Sequence, residues 1–97
     1  MWMHGATGAS SDLAYGGNSD YSPAPAVQIQ MADLGHDVYM TNNRGNKFST
    51  GHVEFDSAVD PEYWDFGLES FSLDVLASAE TMIEHAGTGK GWYFGYS

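Results

Sequence analysis

The stretch that decides the fold is Gly91-Trp92-Tyr93-Phe94-Gly95-Tyr96-Ser97. Three aromatic residues followed by a glycine predict a short buried strand, Trp92 to Phe94, that runs into a tight turn. Gly95-Tyr96-Ser97 is the first half of Gly-x-Ser-x-Gly, a strained strand-to-helix turn that exposes a serine oxygen. Half of this motif arises by chance in many chains, so it predicts a nucleophile only in combination with other signals.

A second strand followed by a glycine turn lies near the start of the chain. Met1-Trp2-Met3 is typical of the end of a buried strand, and it is followed by His4-Gly5-Ala6-Thr7-Gly8-Ala9-Ser10-Ser11. Residues 5–22 are rich in Gly, Ser, Asn and Asp and predict a loop too polar to be a packed element. Because the carboxyl ends of parallel strands meet at one edge of a sheet, we expect the two glycine turns to share a site.

The middle of the chain predicts a helix and then a third strand. The apolar positions of this helix are spaced i, i+4 and i+7, at Val27, Met31 and Leu34. Gly35 supplies its C-terminal stop, and Pro23 and Pro25 suit its first turn. Residues 37–41 are short, apolar and partly β-branched, which predicts a buried strand.

A second helix is predicted before the last strand. Its apolar stripe consists of Leu73, Leu76, Ala79, Ile83 and Ala86. Ser72 offers an N-cap, Asp74 would complement the first turn, and Gly87 would end the helix. Pro61 is expected to open a short helical turn through Trp64. Strands that alternate with helices predict a parallel sheet covered on both faces.

The composition excludes several classes of protein. The chain has 97 residues, 3 basic and 13 acidic side chains, a formal net charge of −10 and no cysteine. Nucleic-acid binding is excluded because phosphate neutralisation needs clustered Lys and Arg. A disulfide scaffold and a thiolate metal site are excluded, and no apolar run reaches the roughly 20 residues of a membrane span. The 14% of aromatic residues argues against an acidic disordered tail.

Five motifs in the chain resemble the acid lipase family, the gastric and lysosomal type that includes cholesteryl ester hydrolases. They are His4-Gly5 after a first strand, Asp33-Leu34-Gly35-His36-Asp37-Val38-Tyr39, Asn43-Arg44-Gly45-Asn46, Tyr63-Trp64-Asp65-Phe66, and Tyr93-Phe94-Gly95-Tyr96-Ser97. They stand in the family's order and cover essentially the whole chain. Two departures are Ala6 and Thr7, where the family usually has two leucines, and Tyr96, where it usually has histidine.

The resemblance implies a fold class. We expect an α/β protein, a partial α/β-hydrolase fold whose three parallel strands correspond to the third to fifth strands of the family's sheet, joined by crossover helices. In that sheet the third strand lies between the fourth and the fifth. Residues 1–97 are then one partial α/β-hydrolase domain, expected to be truncated at both ends.

The resemblance also implies site residues. Ser97 would be the catalytic serine, and the backbone N–H of Ala6 would be one donor of the oxyanion hole. His4, Gly5, Gly95 and Tyr96 would support them, with His4 orienting the loop through hydrogen bonds. The family needs no cofactor, and its substrate is a lipid ester.

Other parts of the family's site are not expected among these residues. The second oxyanion donor would follow the serine, and the triad aspartate and histidine lie well downstream in the family. The 97 residues alone are therefore expected to be inactive. Relatives are secreted or lysosomal; no signal peptide is visible in this chain, and its oligomeric state stays open.

Several isolated features have a structural and a functional interpretation. Arg44 is expected to be structural, bonding loop carbonyls, rather than a ligand clamp. The four histidines are too scattered for a metal site, and the acidic residues between Glu54 and Asp65 lack the spacing of a Ca²⁺ loop. Gly87-Thr88-Gly89-Lys90 follows a helix and lacks the other residues of a phosphate loop. Trp64 and Phe66 either pack under a long loop or mark a lipid surface.

Three functions remain open from the sequence. The first is a serine lipase or esterase of the acid lipase type, represented by a partial chain. The second is a truncated, non-catalytic α/β-hydrolase product that acts at most as a binding module. The third is a small acidic flavodoxin-like domain in which residues 5–11 form an anion-binding loop.

Overall fold

A three-stranded parallel sheet lies at the centre of the fold. The computed structural model describes residues 1–15 and 24–97. The strands are β1 (Trp2–Met3), β2 (Met40–Thr41) and β3 (Phe94–Gly95), in the order β2-β1-β3. Met3 of β1 lies opposite Thr41 on one side and Gly95 on the other. The expected parallel pairing, with the first strand between the other two, is confirmed.

The two outer strands are shorter than predicted. The expected strand at 37–41 is regular only at Met40–Thr41, and the one at 92–94 is shifted to Phe94–Gly95. Both can pair only with β1, which has two residues, so each ladder is two residues long. Beyond the ladders, the Trp2 N–H still donates to the Tyr39 carbonyl at 2.8 Å.

Helix α1 (Ser10–Tyr15) lies in the segment that was expected to be a polar loop, and that expectation is wrong for these residues. The helix begins where two backbone N–H groups find side-chain acceptors. The Ala9 N–H donates to Asp12 Oδ2 at 2.8 Å, and the Ser10 N–H donates to Asn42 Oδ1 at 2.9 Å. Because Asn42 is 32 residues away, this cap depends on the tertiary fold. The rest of the expected loop, residues 16–22, lies outside the described residues.

Helix α2 (Val27–Asp33) follows Pro25 and ends before Gly35, which has a φ of +90°. The left-handed backbone at Gly35 confirms the predicted stop. Pro23 lies outside the described residues. The face formed by the i, i+4 and i+7 positions does not enter the core, since Val27 and Leu34 are exposed while Gln28 is buried.

Helix α3 (Leu68–Ala86) follows a 3₁₀ turn at Pro61–Trp64 and ends at Gly87, whose φ is +65°. The 3₁₀ turn and the glycine stop are confirmed. The expected N-cap at Ser72 is wrong: the helix begins five residues earlier, with Gly67 in the cap position. The added turn is held by packing, because Phe71 contacts the Phe66 ring edge to face at 5.8 Å between centroids.

The buried core is small. Its apolar members are Met1, Met3, Ala9, Ala26 and Tyr63. Trp2 stacks on Phe94 across the sheet at 4.3 Å between ring centroids. Much of the predicted α3 stripe stays open to solvent: Leu73 and Leu76 are each about 60% exposed. This face of α3 therefore adds little to the core.

The aromatic residues of the long loop pack against one another. Tyr63 is buried and meets Trp64 and Phe66 edge to face, at 4.8 and 6.5 Å. Gly45 lies beneath them with a φ of +80°, and a Cβ at this position would stand 2.9 Å from Phe66 Cζ. This favours aromatic packing under the loop, although Trp64 is half exposed. Within residues 1–15 and 24–97, no helix has the length and apolar character needed to cross a membrane.

Candidate active site

The structure brings the two glycine turns together, because β1 and β3 are neighbouring parallel strands. Gly5 follows β1 and Ser97 follows β3, and they approach closely. A Cβ added to Gly5 would lie 3.1 Å from Ser97 Cβ and 3.3 Å from the Tyr96 carbonyl oxygen. A side chain at this position would force the two turns apart by a few tenths of an ångström, so their close contact favours glycine.

Ser97 has an unusual backbone. Its φ is +54°, and among the described residues it is the one residue other than glycine with a positive φ. This left-handed conformation costs a residue with a Cβ roughly 1–2 kcal/mol. Strained backbone of this kind clusters at functional sites, and the serine of a Gly-x-Ser-x-Gly motif stands on a strained turn.

A cavity of about 310 Å³ lies between the ends of β1 and β3, the loop after β2, and the start of α3. Of the six residues singled out from the sequence, five line this cavity and the sixth, Gly5, contacts one that does. Its lining includes His4, Ala6, Asn43, Phe71, Tyr96 and Ser97. Gly95 also lines it, and Gly5 contacts Ser97 from the side. The predicted residues therefore surround one space.

Gly95 and Tyr96 hold the serine turn against β1. The Tyr96 N–H donates to the Met3 carbonyl at 3.1 Å, which continues the β1–β3 pairing up to the residue before Ser97. A Cβ on Gly95 would lie 2.9 Å from Tyr93 Oη, so the tyrosine occupies the space beside the strand. The ring of Tyr96 itself is largely exposed.

His4 is buried and uses both ring nitrogens. Nδ1 lies 2.6 Å from the Gly5 carbonyl oxygen, and Nε2 accepts the Asn43 backbone N–H at 3.2 Å. The side-chain amide of Asn46 also lies 2.9 Å from Nε2. His4 thus joins the loop after β1 to the loop after β2 through hydrogen bonds.

Asn42 and Asn46 are part of the same network, although Asn42 lies outside the five sequence motifs. The Asn46 amide donates to Asn42 Oδ1 at 2.6 Å, and the Asn42 amide donates to Ser10 Oγ at 3.0 Å. A run of asparagines after a buried strand was the available signal, because asparagine side chains bond loop and helix-cap backbone. The partners 32 residues away carry no local sequence signal.

Arg44 forms a bidentate ion pair with Asp74 of α3. Its Nη2 lies 2.8 Å from Asp74 Oδ1, and its Nε lies 3.0 and 3.1 Å from the two carboxylate oxygens. The Arg44 backbone N–H donates to Asp74 Oδ2 at 2.9 Å. Arg44 is structural as expected, but its partner is a carboxylate rather than loop carbonyls. Asp74 lies beyond the first turn of α3 and does not act as a cap.

The ion pair shifts the pKa of both partners. Burial alone would raise the pKa of Asp74, but hydrogen bonds from the Arg44 side chain and backbone outweigh burial, so the pKa lies below its usual value. The hydrogen bond to Asp74 raises the pKa of Arg44. Both groups are therefore charged at neutral pH. The pair is mostly sheltered on the aspartate side, whose side chain is 15% exposed.

A second, wider cavity of about 740 Å³ is lined in part by Arg44 and Asp74. His52 and Tyr63 line it, and His52 Nδ1 accepts backbone N–H groups from Glu54 and Phe55. Residues 1–15 and 24–97 contain no group of three histidine or acidic side chains placed to hold a metal ion.

The anion-binding interpretation of residues 5–11 fits the structure poorly. The Ala9 and Ser10 N–H groups at the start of α1 already donate to the side chains of Asp12 and Asn42. A carboxylate beside them repels an anion. The flavodoxin-like alternative therefore loses the feature on which it depended.

Comparisons with known proteins point to lipases. The chain is 36% identical over 76 residues to a probable lipase of Schizosaccharomyces pombe, covering 77% of this chain and 16% of that protein. It is equally similar to human lipase member K, covering 77% of this chain and 19% of that protein. It is 30% identical over 81 residues to a putative lysosomal acid lipase/cholesteryl ester hydrolase of Crotalus adamanteus, covering 82% and 19%.

No protein-family model matches the chain. No solved structure matches it either. The chain spans about a fifth of the length of the curated relatives it matches. It is a homologue of one segment of proteins named lipases.

Proposed function

We propose that this chain is part of an acid lipase that hydrolyses fatty-acyl esters through an acyl-enzyme intermediate. In this proposal Ser97 is the nucleophile, and the Ala6 backbone N–H is one oxyanion donor. The observation that carries it is the contact between Gly5 and a serine with left-handed backbone, at the carboxyl ends of two neighbouring parallel strands. The names of the relatives support the same reaction class.

The proposed ester hydrolysis proceeds in two steps, acylation of Ser97 and hydrolysis of the acyl-enzyme. Ser97 Oγ attacks the ester carbonyl, and its proton passes to a histidine base, which then protonates the departing alcohol. The carbonyl oxygen becomes an oxyanion that backbone N–H donors stabilise, each worth on the order of 10²–10³ in rate. Water, deprotonated by the same base, then cleaves the acyl-enzyme and releases the fatty acid.

In this proposal the base comes from outside these 97 residues. His4 shares the cavity with Ser97, but its two nitrogens are hydrogen-bonded to Gly5 and to Asn43. His36 and His85 are exposed, and His52 lines the other cavity. The 97 residues by themselves are therefore proposed to lack triad-type turnover. The substrates proposed for the whole protein are triacylglycerols or sterol esters, by analogy with relatives named gastric triacylglycerol lipase and lysosomal acid lipase/cholesteryl ester hydrolase. By the same analogy, the whole protein is proposed to be secreted or lysosomal.

The test is ester hydrolysis and covalent labelling by a fluorophosphonate in the full-length protein. Ser97→Ala should abolish labelling and lower turnover by at least about 10³-fold. Ser72→Ala is the matched control, because Ser72 lines the same cavity from α3 and has no proposed role. Full turnover in the Ser97→Ala variant, or labelling of another serine, would refute the assignment.

A separate measurement addresses the 97 residues alone. A folded preparation of residues 1–97 should show no ester turnover above that of its Ser97→Ala variant. Turnover that disappears with Ser97→Ala would show that the base lies within these residues, and it would overturn this part of the proposal.

A further inference from the structure

The peptide unit between Gly5 and Ala6 is held from its carbonyl end. The Gly5 carbonyl oxygen lies 2.6 Å from His4 Nδ1 and accepts the Gly8 N–H at 2.9 Å. Because a trans peptide is planar, fixing the direction of its C=O also fixes the direction of its N–H, which points the opposite way. That N–H belongs to Ala6, so the two bonds to Gly5 set where the proposed oxyanion donor points.

The bond from His4 to Gly5 requires one tautomer of the ring. The Asn43 backbone N–H can only donate, so His4 Nε2, which receives it, carries a lone pair. The proton of the neutral ring then lies on Nδ1, where it is donated to the Gly5 carbonyl. In the other tautomer, the Nδ1 lone pair would face the carbonyl lone pairs and the Nε2 proton would face the Asn43 proton. Both contacts would be repulsive.

The position of the Asn43 N–H depends on the next residue. The Arg44 backbone N–H donates to Asp74 Oδ2 of α3 at 2.9 Å. The Arg44 guanidinium forms three further bonds to the same carboxylate. One carboxylate thus restrains both the main chain and the side chain of Arg44. Asn43, directly before it, is buried, and no described group bonds its Oδ1. The Asp74 carboxylate therefore restrains the main chain directly after Asn43.

We propose that Asp74 and Arg44 are positioning residues for the oxyanion donor, acting through the Asn43 N–H and the tautomer of His4. The inference rests on the proposed function in one respect, the identity of Ala6 as the donor. The coupling from Asp74 to the His4 ring is independent of any activity. Within this coupling Asp74 matters more than the Arg44 side chain, because Asp74 bonds the backbone directly.

The experiment reads the His4 tautomer by nitrogen-15 NMR of the full-length protein, labelled in histidine and studied at about pH 8, where histidine is neutral. The wild type should show a single form of His4 with the proton on Nδ1. Asp74→Ala should produce a mixture with a measurable Nε2–H population. Arg44→Lys, which keeps the charge and the backbone bond to Asp74, should retain the Nδ1–H form. Glu80→Gln, on an exposed part of the same helix, is the control and should leave the spectrum unchanged.

The results separate this inference from the proposed function. If Asp74→Ala is folded, with the α3 amide signals in place, and His4 keeps a single Nδ1–H form, the coupling is refuted. If that variant does not fold, the same readout is applied to Asp74→Asn. This variant retains an acceptor for the Arg44 N–H but loses the charge. It should keep the Nδ1–H form, and loss of that form in a folded Asp74→Asn protein would contradict a coupling that passes through the backbone bond.

Ester turnover provides the second readout. Asp74→Ala should lower kcat by about 10-fold or more with KM unchanged, because a misdirected donor weakens only the transition state. A tautomer shift in a protein without ester turnover would support the coupling and refute the proposed function. A tautomer shift with unchanged kcat would refute the assignment of Ala6 as a donor reached through His4.

Discussion

Replacing Gly45 by alanine tests the packing that shapes the loop after β2. Gly45 has a φ of +80°, and a Cβ there would lie 2.9 Å from Phe66 Cζ and 3.0 Å from Trp64 Cζ3. Carbon atoms in ordinary contact are about 3.5–4.0 Å apart, so the rings must move by roughly 0.5–1 Å. Rigid aromatic rings yield less easily than the end of a flexible side chain.

The expected loss has two parts. A left-handed backbone costs alanine about 1–2 kcal/mol, and overpacking of this kind costs about 1–3 kcal/mol. We therefore expect Gly45→Ala to lower the free energy of unfolding by about 2–5 kcal/mol. The matched control is Gly35→Ala, since Gly35 has a φ of +90° and nothing within 4 Å of an added Cβ. It should lose the backbone part alone, about 1–2 kcal/mol.

Urea and thermal unfolding of the two variants measure the difference. For a domain of this size, 1 kcal/mol corresponds to about 4–8 °C in Tm, so Gly45→Ala should melt at least about 4 °C below Gly35→Ala. Combining Gly45→Ala with Phe66→Leu should recover part of the steric loss, which makes the two changes non-additive. Equal losses at positions 45 and 35 would refute the steric part of the reasoning.

Three further predictions concern the site and its supports. Gly5→Ala places a Cβ 3.1 Å from Ser97 Cβ and should lower kcat/KM for ester hydrolysis by about 10²-fold. The control is Gly51→Ala, which adds a Cβ in open space and should have no effect. Equal turnover in the two variants would contradict the close approach of Gly5 and Ser97. Because the pKa of Asp74 is lowered in the folded state, its ion pair stabilises the protein above about pH 4, and this stabilisation is lost as the pH falls further. The stability gap between wild type and Asp74→Asn, measured by urea unfolding, should therefore close in acid, and a gap that widens there would contradict the sign of the shift. Asn42→Ala removes the acceptor for the Ser10 N–H and should cost about 1 kcal/mol and speed amide exchange in α1, while Asn42→Asp should preserve protection.

Local signals in the sequence predict the glycine turns that end the helices and the presence of three strands, although both outer strands are shorter than predicted. Gly35 and Gly87 both have left-handed backbone at helix ends, as their place after apolar periodic segments indicates. The sheet order follows from the family resemblance, and the residues that line the Ser97 cavity follow from the same motifs. These features depend on residues close in sequence or on a known pattern.

Features that depend on distant partners were missed. Helix α1 forms in a polar segment because Asn42 caps it, and Arg44 pairs with Asp74 thirty residues away. Neither partner is visible from local composition. Serine is a good N-cap and predicts that α3 starts at Ser72, but contact between Phe71 and Phe66 stabilises an additional turn. Tertiary packing overrides local preference at each of these places.

The central position of β1 has a consequence for how the chain acquires its fold. Trp2 pairs with Met40 on one side and with Phe94 on the other, so the second pairing closes a far longer loop than the first. Such a topology has high contact order, and the β1–β3 ladder is expected to form late. During synthesis at about 5–20 residues per second, one edge of β1 stays unpaired for several seconds after β2 emerges. We therefore expect aggregation or chaperone binding of the nascent chain to begin at this unpaired edge of β1, and not at the completed sheet.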